Sequence, residues 1–273
     1  MAFWRIGTHY GLMLAVVAAA LVIWTAIAHS LLSVSLVVAS LALAGASLWS
    51  CHTLLGPRAA QQFLAIAAPM GWLAEELGVR FGWFFGDYTY TDVLGPRLGS
   101  VPVVIPLMWF GLCYIGVVLS SLILWRQPVP AASGWQAGAL TAFLAAMVVT
   151  AFDLGADPYF VYVLKAWIMT MKDGGWFGET VKGFEGWMLV SFAIVATFLA
   201  VARPGLEAAA TVPARRAALL PLAVYAAFIV FQTTQTRPVA LRVVAFFAMG
   251  IPALAAFAAW LQWSHRQPLE AAA

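Results

Sequence analysis

The run PVVIPLMWFGLCYIGVVLSSLILW, residues 102–125, carries no charged side chain, and its reading decides the fold. A helix that crosses the hydrocarbon core of a bilayer needs about 20 mainly apolar residues, and this run supplies them. Working outward, similar runs recur at about 10–28, 31–54, 59–79, 134–155, 184–202, 216–234 and 239–262. The chain of 273 residues is 64% hydrophobic and 9% charged, against roughly 25% charged for soluble domains. We therefore expect an all-α polytopic membrane helical bundle of about eight transmembrane helices, forming one transmembrane domain over residues 1–273. Arg5 precedes a first run that continues for spanning length, so a retained helix is expected rather than a cleaved signal. The net charge of +3 comes from scattered arginines. With no basic stripe, nucleic acid is not an expected partner.

Two connections are long, about 80–101 and 156–183, and both are rich in Gly, Pro and aromatics. Such loops suit a cavity mouth better than a flexible tail. The stretch Tyr159–Met171 is apolar and helical in pattern but short, and is expected as a re-entrant or interfacial helix. With eight spans, both long connections emerge on one face. Nine of the eleven carboxylates then gather there: Glu75, Glu76, Asp87, Asp92, Asp153, Asp157, Asp173, Glu179 and Glu185. All four histidines lie outside this stretch. Charged groups at membrane depth are costly and mark functional sites. Lysine and arginine divide evenly between the faces, and the short 203–216 connection favours the acid-poor side as cytoplasmic.

Three constellations carry possible chemistry. In the first, Trp72, Glu75, Glu76 and Gly78 precede Gly82, Phe85, Gly86, Asp87, Tyr88 and Tyr90. Adjacent Glu75 and Glu76 point about 100° apart on a helix, so one can face the bundle while the other meets Arg80 or headgroups. An interfacial aromatic belt is the plainer account of these rings. In the second, Asp153 and Asp157 stand at i, i+4, on one helical face. Two like charges so placed disfavour double ionisation, so one Asp keeps its proton near neutral pH beside a matched base. Pro158 should end the helix at Asp157, and a plain helix end, with Asp157 meeting water or Lys165, is the alternative. In the third, Trp167, Trp176, Phe177, Gly178, Phe184 and Trp187 offer aromatic faces that can stabilise a cation, or simply a packed Gly-aromatic turn. Asp173 and Glu179 read as loop charges whose neutral variants should be mild.

There is no GxGxxG, Walker loop, HExxH, histidine box or CxxC. Cys51 and Cys113 read as buried thiols. No metal and no cofactor is expected, which leaves acid–base chemistry on an apolar substrate.

The residues Glu75–Gly78, Phe85-Gly86, Tyr88, Tyr90, Gly95-Pro96, Leu98, Val101-Pro102, Pro106 and Trp109 resemble the first block of the membrane carotenoid 1′,2′-hydratases. Asp153, Asp157-Pro158, Trp167, Phe177-Gly178 and Gly186-Trp187 resemble the second. The resemblance covers about residues 70–190. It implies an integral enzyme of a bacterial or archaeal cytoplasmic membrane, surrounded by lipid and working among other carotenoid-pathway enzymes. Its substrate would be apolar: lycopene-, γ-carotene- or bacterioruberin-precursor-like. Water would add across the terminal C1′=C2′ bond through a tertiary cation.

On that reading Asp153 or Asp157 donates the proton and the other is its partner. Glu75 or Glu76 orients water, and Asp87 and Tyr88 sit at the mouth. Tyr90, Trp72, Trp109, Trp167, Trp176 and Trp187 complete the substrate-binding set. Two other readings stay open. One is a proton-coupled or lipid-handling transporter, since intramembrane carboxylates also serve proton relays. The other is a carotenoid cyclase or isomerase using the same acid without water.

Overall fold

The computed structural model describes residues 2–130, 134–170, 174–202 and 208–266. Among them are eight long helices: α1 (Ala2–Ala28), α2 (Leu31–Leu55), α3 (Pro57–Phe81), α4 (Val104–Trp125), α5 (Trp135–Pro158), α6 (Val181–Ala202), α7 (Val212–Gln235) and α8 (Val239–Ser264). At 1.5 Å per residue, each is long enough for a core about 30 Å thick. Six are also apolar enough to cross a membrane: α2, α4, α5, α6, α7 and α8. Helix α3 falls short because it carries Arg58, Gln61, Gln62, Glu75, Glu76 and Arg80. The protein is an all-α polytopic membrane bundle.

Helices α3, α4, α5 and α6 form a closed ring, each packed on the next and α6 returning to α3. Helix α2 packs on α3, α4 and α7, helix α8 packs on α4, α5 and α7, and α1 packs on α2. Helix α4 is the most buried, with Trp109, Phe110, Leu112, Tyr114, Ile115, Leu119 and Leu122 all in the core. On the outer helices, Val230, Phe246, Phe247, Ile251 and Leu254 are exposed, as expected for faces that meet lipid tails. Without a hydrophobic drive between helices in lipid, interhelical hydrogen bonds and close packing hold such bundles. Here the Ser50 hydroxyl meets the Tyr114 hydroxyl at 2.6 Å and donates to the Ala217 carbonyl at 2.7 Å, joining α2, α4 and α7. Tyr225 donates to the Val148 carbonyl and Gln232 to the Phe152 carbonyl, fixing α7 on α5.

The ring alternates in direction, so α3 and α5 end where α4 and α6 begin. The two long connections meet at that end. Strand β1 (Tyr88–Tyr90) pairs antiparallel with β4 (Trp167–Met169), Tyr88 opposite Met169 and Tyr90 opposite Trp167. Thr91 N–H donates to the Ala166 carbonyl and Thr170 N–H to the Asp87 carbonyl, extending the tie on both sides. Between them, β2 (Arg97–Leu98) and β3 (Val101–Pro102) form a small hairpin. Side chains alternate across a strand. Tyr88 and Tyr90 therefore both turn inward while Thr89 is exposed.

The stretch expected as a separate re-entrant or interfacial helix is divided. Helix α5 does not stop at Asp157. It continues through Pro158 into a π-helical turn, Tyr159–Leu164, that closes at Lys165 in the left-handed region with φ 54°. Strand β4 follows. The expectation failed because a proline inside a helix removes one donor and frees one carbonyl. That carbonyl, on Leu154, has another partner here, the Trp176 indole N–H at 2.9 Å.

Candidate active site

Four helix ends enclose a cavity of about 50 Å³ beneath the β1–β4 pair. Helix α3 contributes Glu75; α4 contributes Ile105, Met108 and Trp109; α5 contributes Phe152, Asp153, Ala156 and Asp157; α6 contributes Gly183 and Trp187. Phe85, Tyr88, Tyr90, Phe160, Trp167 and Met169 close it from the loops. No lysine, arginine or histidine is among the lining residues.

Glu75 is held by three donors. Its Oε2 accepts from the Tyr88 hydroxyl and from the Tyr90 hydroxyl at 2.7 Å, and its Oε1 accepts from the Trp109 indole N–H at 3.0 Å. Three neutral donors and no competing acceptor suit an ionised carboxylate, which accepts only. Burial first, and then the Glu75 charge, push the Tyr88 and Tyr90 phenols well above the usual tyrosine range, so both remain donors. Trp109 reaches Glu75 because Gly71 lies beneath it: a Cβ at residue 71 would stand 2.5 Å from the indole Cγ.

Asp153 and Asp157 face the cavity from one side of α5. The Asp157 Oδ1 accepts from the Trp167 indole N–H at 3.0 Å. Asp153 is 2% exposed, and its Oδ2 has no hydrogen-bond partner among the described residues. An unpaired buried oxygen is costly and calls for a functional explanation. Around these acids the rings are ordered. Trp109 and Trp187 stack with centroids 4.4 Å apart, Phe160 and Trp167 stack at 5.2 Å, and Tyr90 meets Trp167 edge-on at 5.9 Å.

The other expected site residues lie elsewhere. Glu76 faces away from the cavity, bonded to Arg80 Nε at 2.5 Å and to the Ser100 N–H at 2.8 Å. It clamps the β2–β3 hairpin to α3. Trp72 donates to the Leu98 carbonyl of the same hairpin. Asp87 is exposed, its carboxylate against Gly82 and its carbonyl taken by Thr170. Trp176 serves the Leu154 carbonyl. Asp92 pairs with Arg97 at the surface, Glu185 is exposed, and Asp173 lies outside the described residues. Among the described residues, no group of three or more His, Cys, Asp or Glu is arranged to hold a metal ion.

Glu179 is the acid that the sequence undervalued. Read as a loop charge, it is fully buried and interacts with Asp157 and Tyr162. The available signal was its setting between Trp176-Phe177-Gly178 and Thr180, a loop too apolar to be a solvated one. Phe85 of the first constellation lines the cavity too, and so do Met108, Phe152, Phe160 and Met169, which no motif marks.

A family model described as "Carotenoid biosynthesis protein" matches residues 10–261. A bisanhydrobacterioruberin hydratase from Haloarcula japonica is 32% identical over 127 residues, which is 45% of this chain and 39% of that protein. The match therefore spans less than half of the relative's length. No solved structure matches the chain.

Proposed function

Because the chain belongs to the carotenoid biosynthesis protein family, we propose that it hydrates the terminal C1′=C2′ bond of an acyclic (ψ) carotenoid end. The observation that carries this reading is the pairing of an unpartnered Asp153 oxygen with a fully donated Glu75 carboxylate across one aromatic cavity.

Asp153 and Asp157 share one proton, and Asp153 delivers it to C2′. The π bond breaks as the C2′–H bond forms, leaving a tertiary cation at C1′. The Trp109, Trp187 and Trp167 faces stabilise that cation, and the Glu75 charge does so through a medium that screens little. A water molecule bonds to C1′ through oxygen and gives up a proton toward Glu75. The sum is one water added, a tertiary alcohol formed, and no electrons transferred. Asp157, steadied by Trp167, presents the second carboxyl to the same cavity from the same helix.

The test is expression in a lycopene-making host, with pigments analysed by mass. The expected product is heavier by one water, with oxygen from labelled water. Oxygen drawn from O2, or a product of unchanged mass, would overturn the reading.

A further inference from the structure

On the hydration reading, each turnover takes a proton from Asp153 and leaves one on Glu75, so both carboxyls must be reset before the next. The cavity is lined by apolar and aromatic groups and lies beneath paired loops, so recovery needs a route. Glu179 is fully buried and interacts with Asp157, yet is not among the residues that line the cavity. Its position is built rather than incidental. Trp176 and Glu179 exchange backbone hydrogen bonds of 3.0 and 2.8 Å across a tight turn. Phe177 at φ 50° and Gly178 at φ 99° supply the two positive dihedrals that such a turn requires. The Trp176 indole then docks the turn on α5 at Leu154, less than one helical turn before Asp157.

Tyr162 stands on the far side of this turn. A Cβ on Gly178 would collide with the Tyr162 hydroxyl, so the phenol lies directly against the Gly178-Glu179 backbone. The Tyr162 residue is 42% exposed, while Glu179 is fully buried. The groups facing Glu179 are thus Asp157 from α5, Tyr162 from the π-helical turn, and more distantly Asp153.

We propose that Glu179 and Tyr162 form the proton path between the cavity acids and the solvent at this face of the membrane. Each step moves one proton and no electrons. The O–H bond of Glu179 breaks as one forms on Asp157, and Asp157 passes its proton to Asp153. Glu179 is refilled from the Tyr162 hydroxyl, which takes a proton from hydronium in the same motion, while Glu75 hands the proton it took to the water that enters for the next cycle, so that one proton enters and one leaves per turnover. Glu179 does not touch substrate; it acts through Asp157.

The test combines turnover with a readout that needs no substrate. Infrared spectroscopy after transfer into heavy water follows the exchange of the cavity carboxyl protons in the folded, substrate-free protein. Glu179→Gln should slow that exchange and lower kcat on the order of 10²-fold, with KM for the polyene unchanged and a larger solvent isotope effect. Glu179→Asp should restore most of both. Tyr162→Phe should slow exchange less, since water can stand in at an exposed position. Exchange and kcat at normal rates in folded Glu179→Gln would overturn the proposal. Slowed exchange in a protein that never hydrates a carotenoid would keep the path and remove the hydration reading instead.

Discussion

The Trp176 indole donates to the Leu154 carbonyl at 2.9 Å, the oxygen that Pro158, four residues along, has no N–H to reach. A loop side chain thereby completes the helix that carries both aspartates. It lets α5 run past Asp157 into the π-helical turn that places Phe160 on the cavity.

Removing that donor should cost about 1–3 kcal/mol, the penalty for an unsatisfied buried group. Trp176→Phe is expected to lower the unfolding midpoint in detergent. Pro158→Ala restores a backbone donor to the same oxygen. The double variant should therefore recover part of the loss, a coupling that a double-mutant cycle measures. Additive losses would show that the two groups do not serve one carbonyl.

The adjacent glutamates should behave differently. Glu75→Gln removes the charge that three donors converge on and should abolish turnover in a folded protein. Glu76→Gln weakens a clamp whose partner Arg80 has a side chain 58% exposed, and should cost about 1 kcal/mol or less with near-normal turnover. Equal losses in pigment assays would mean that the cavity placement does not govern catalysis.

Asp153→Asn and Asp157→Asn should each eliminate product while preserving helicity and a normal elution profile in detergent. Near-normal turnover in both would refute the assignment of the acid.

At Trp187, ring electrons and side-chain shape have separable effects. Replacement by Leu removes a desolvated aromatic face worth about 2 kcal/mol, or roughly 30-fold in kcat. Replacement by Phe keeps a face and should lose markedly less. Kinetics that do not distinguish the two variants would leave the stacked indoles as packing only.

Tyr88 and Tyr90 should make the fold sensitive to alkali. Both phenols are raised in the folded protein, by burial and then by Glu75, while an unfolded tyrosine ionises near pH ~10. Above that pH the unfolded chain holds fewer protons than the folded one, so stability falls as pH rises. The contribution is complete below about pH 10 and is lost as pH climbs toward the folded values. Unfolding midpoints measured through this range should fall less steeply for Tyr88→Phe and Tyr90→Phe than for the unaltered protein.

The sequence by itself determined the eight helices to within a few residues at most ends, and the gathering of acids on one face. Both follow from local quantities: the length of an apolar run and the parity of the connections. It also placed Asp153 and Asp157 on one helical face, because i, i+4 spacing needs only the helix repeat. Tertiary structure decided which of Glu75 and Glu76 meets the cavity, since helix rotation is set by neighbours such as Trp109 and Ser100, distant in sequence. It decided that the two long loops pair as strands and turn Tyr88, Tyr90 and Trp167 inward. It also buried Glu179 against Asp157, because a proline within α5 was answered by an indole from the next loop, a nonlocal hydrogen bond that no period or composition encodes.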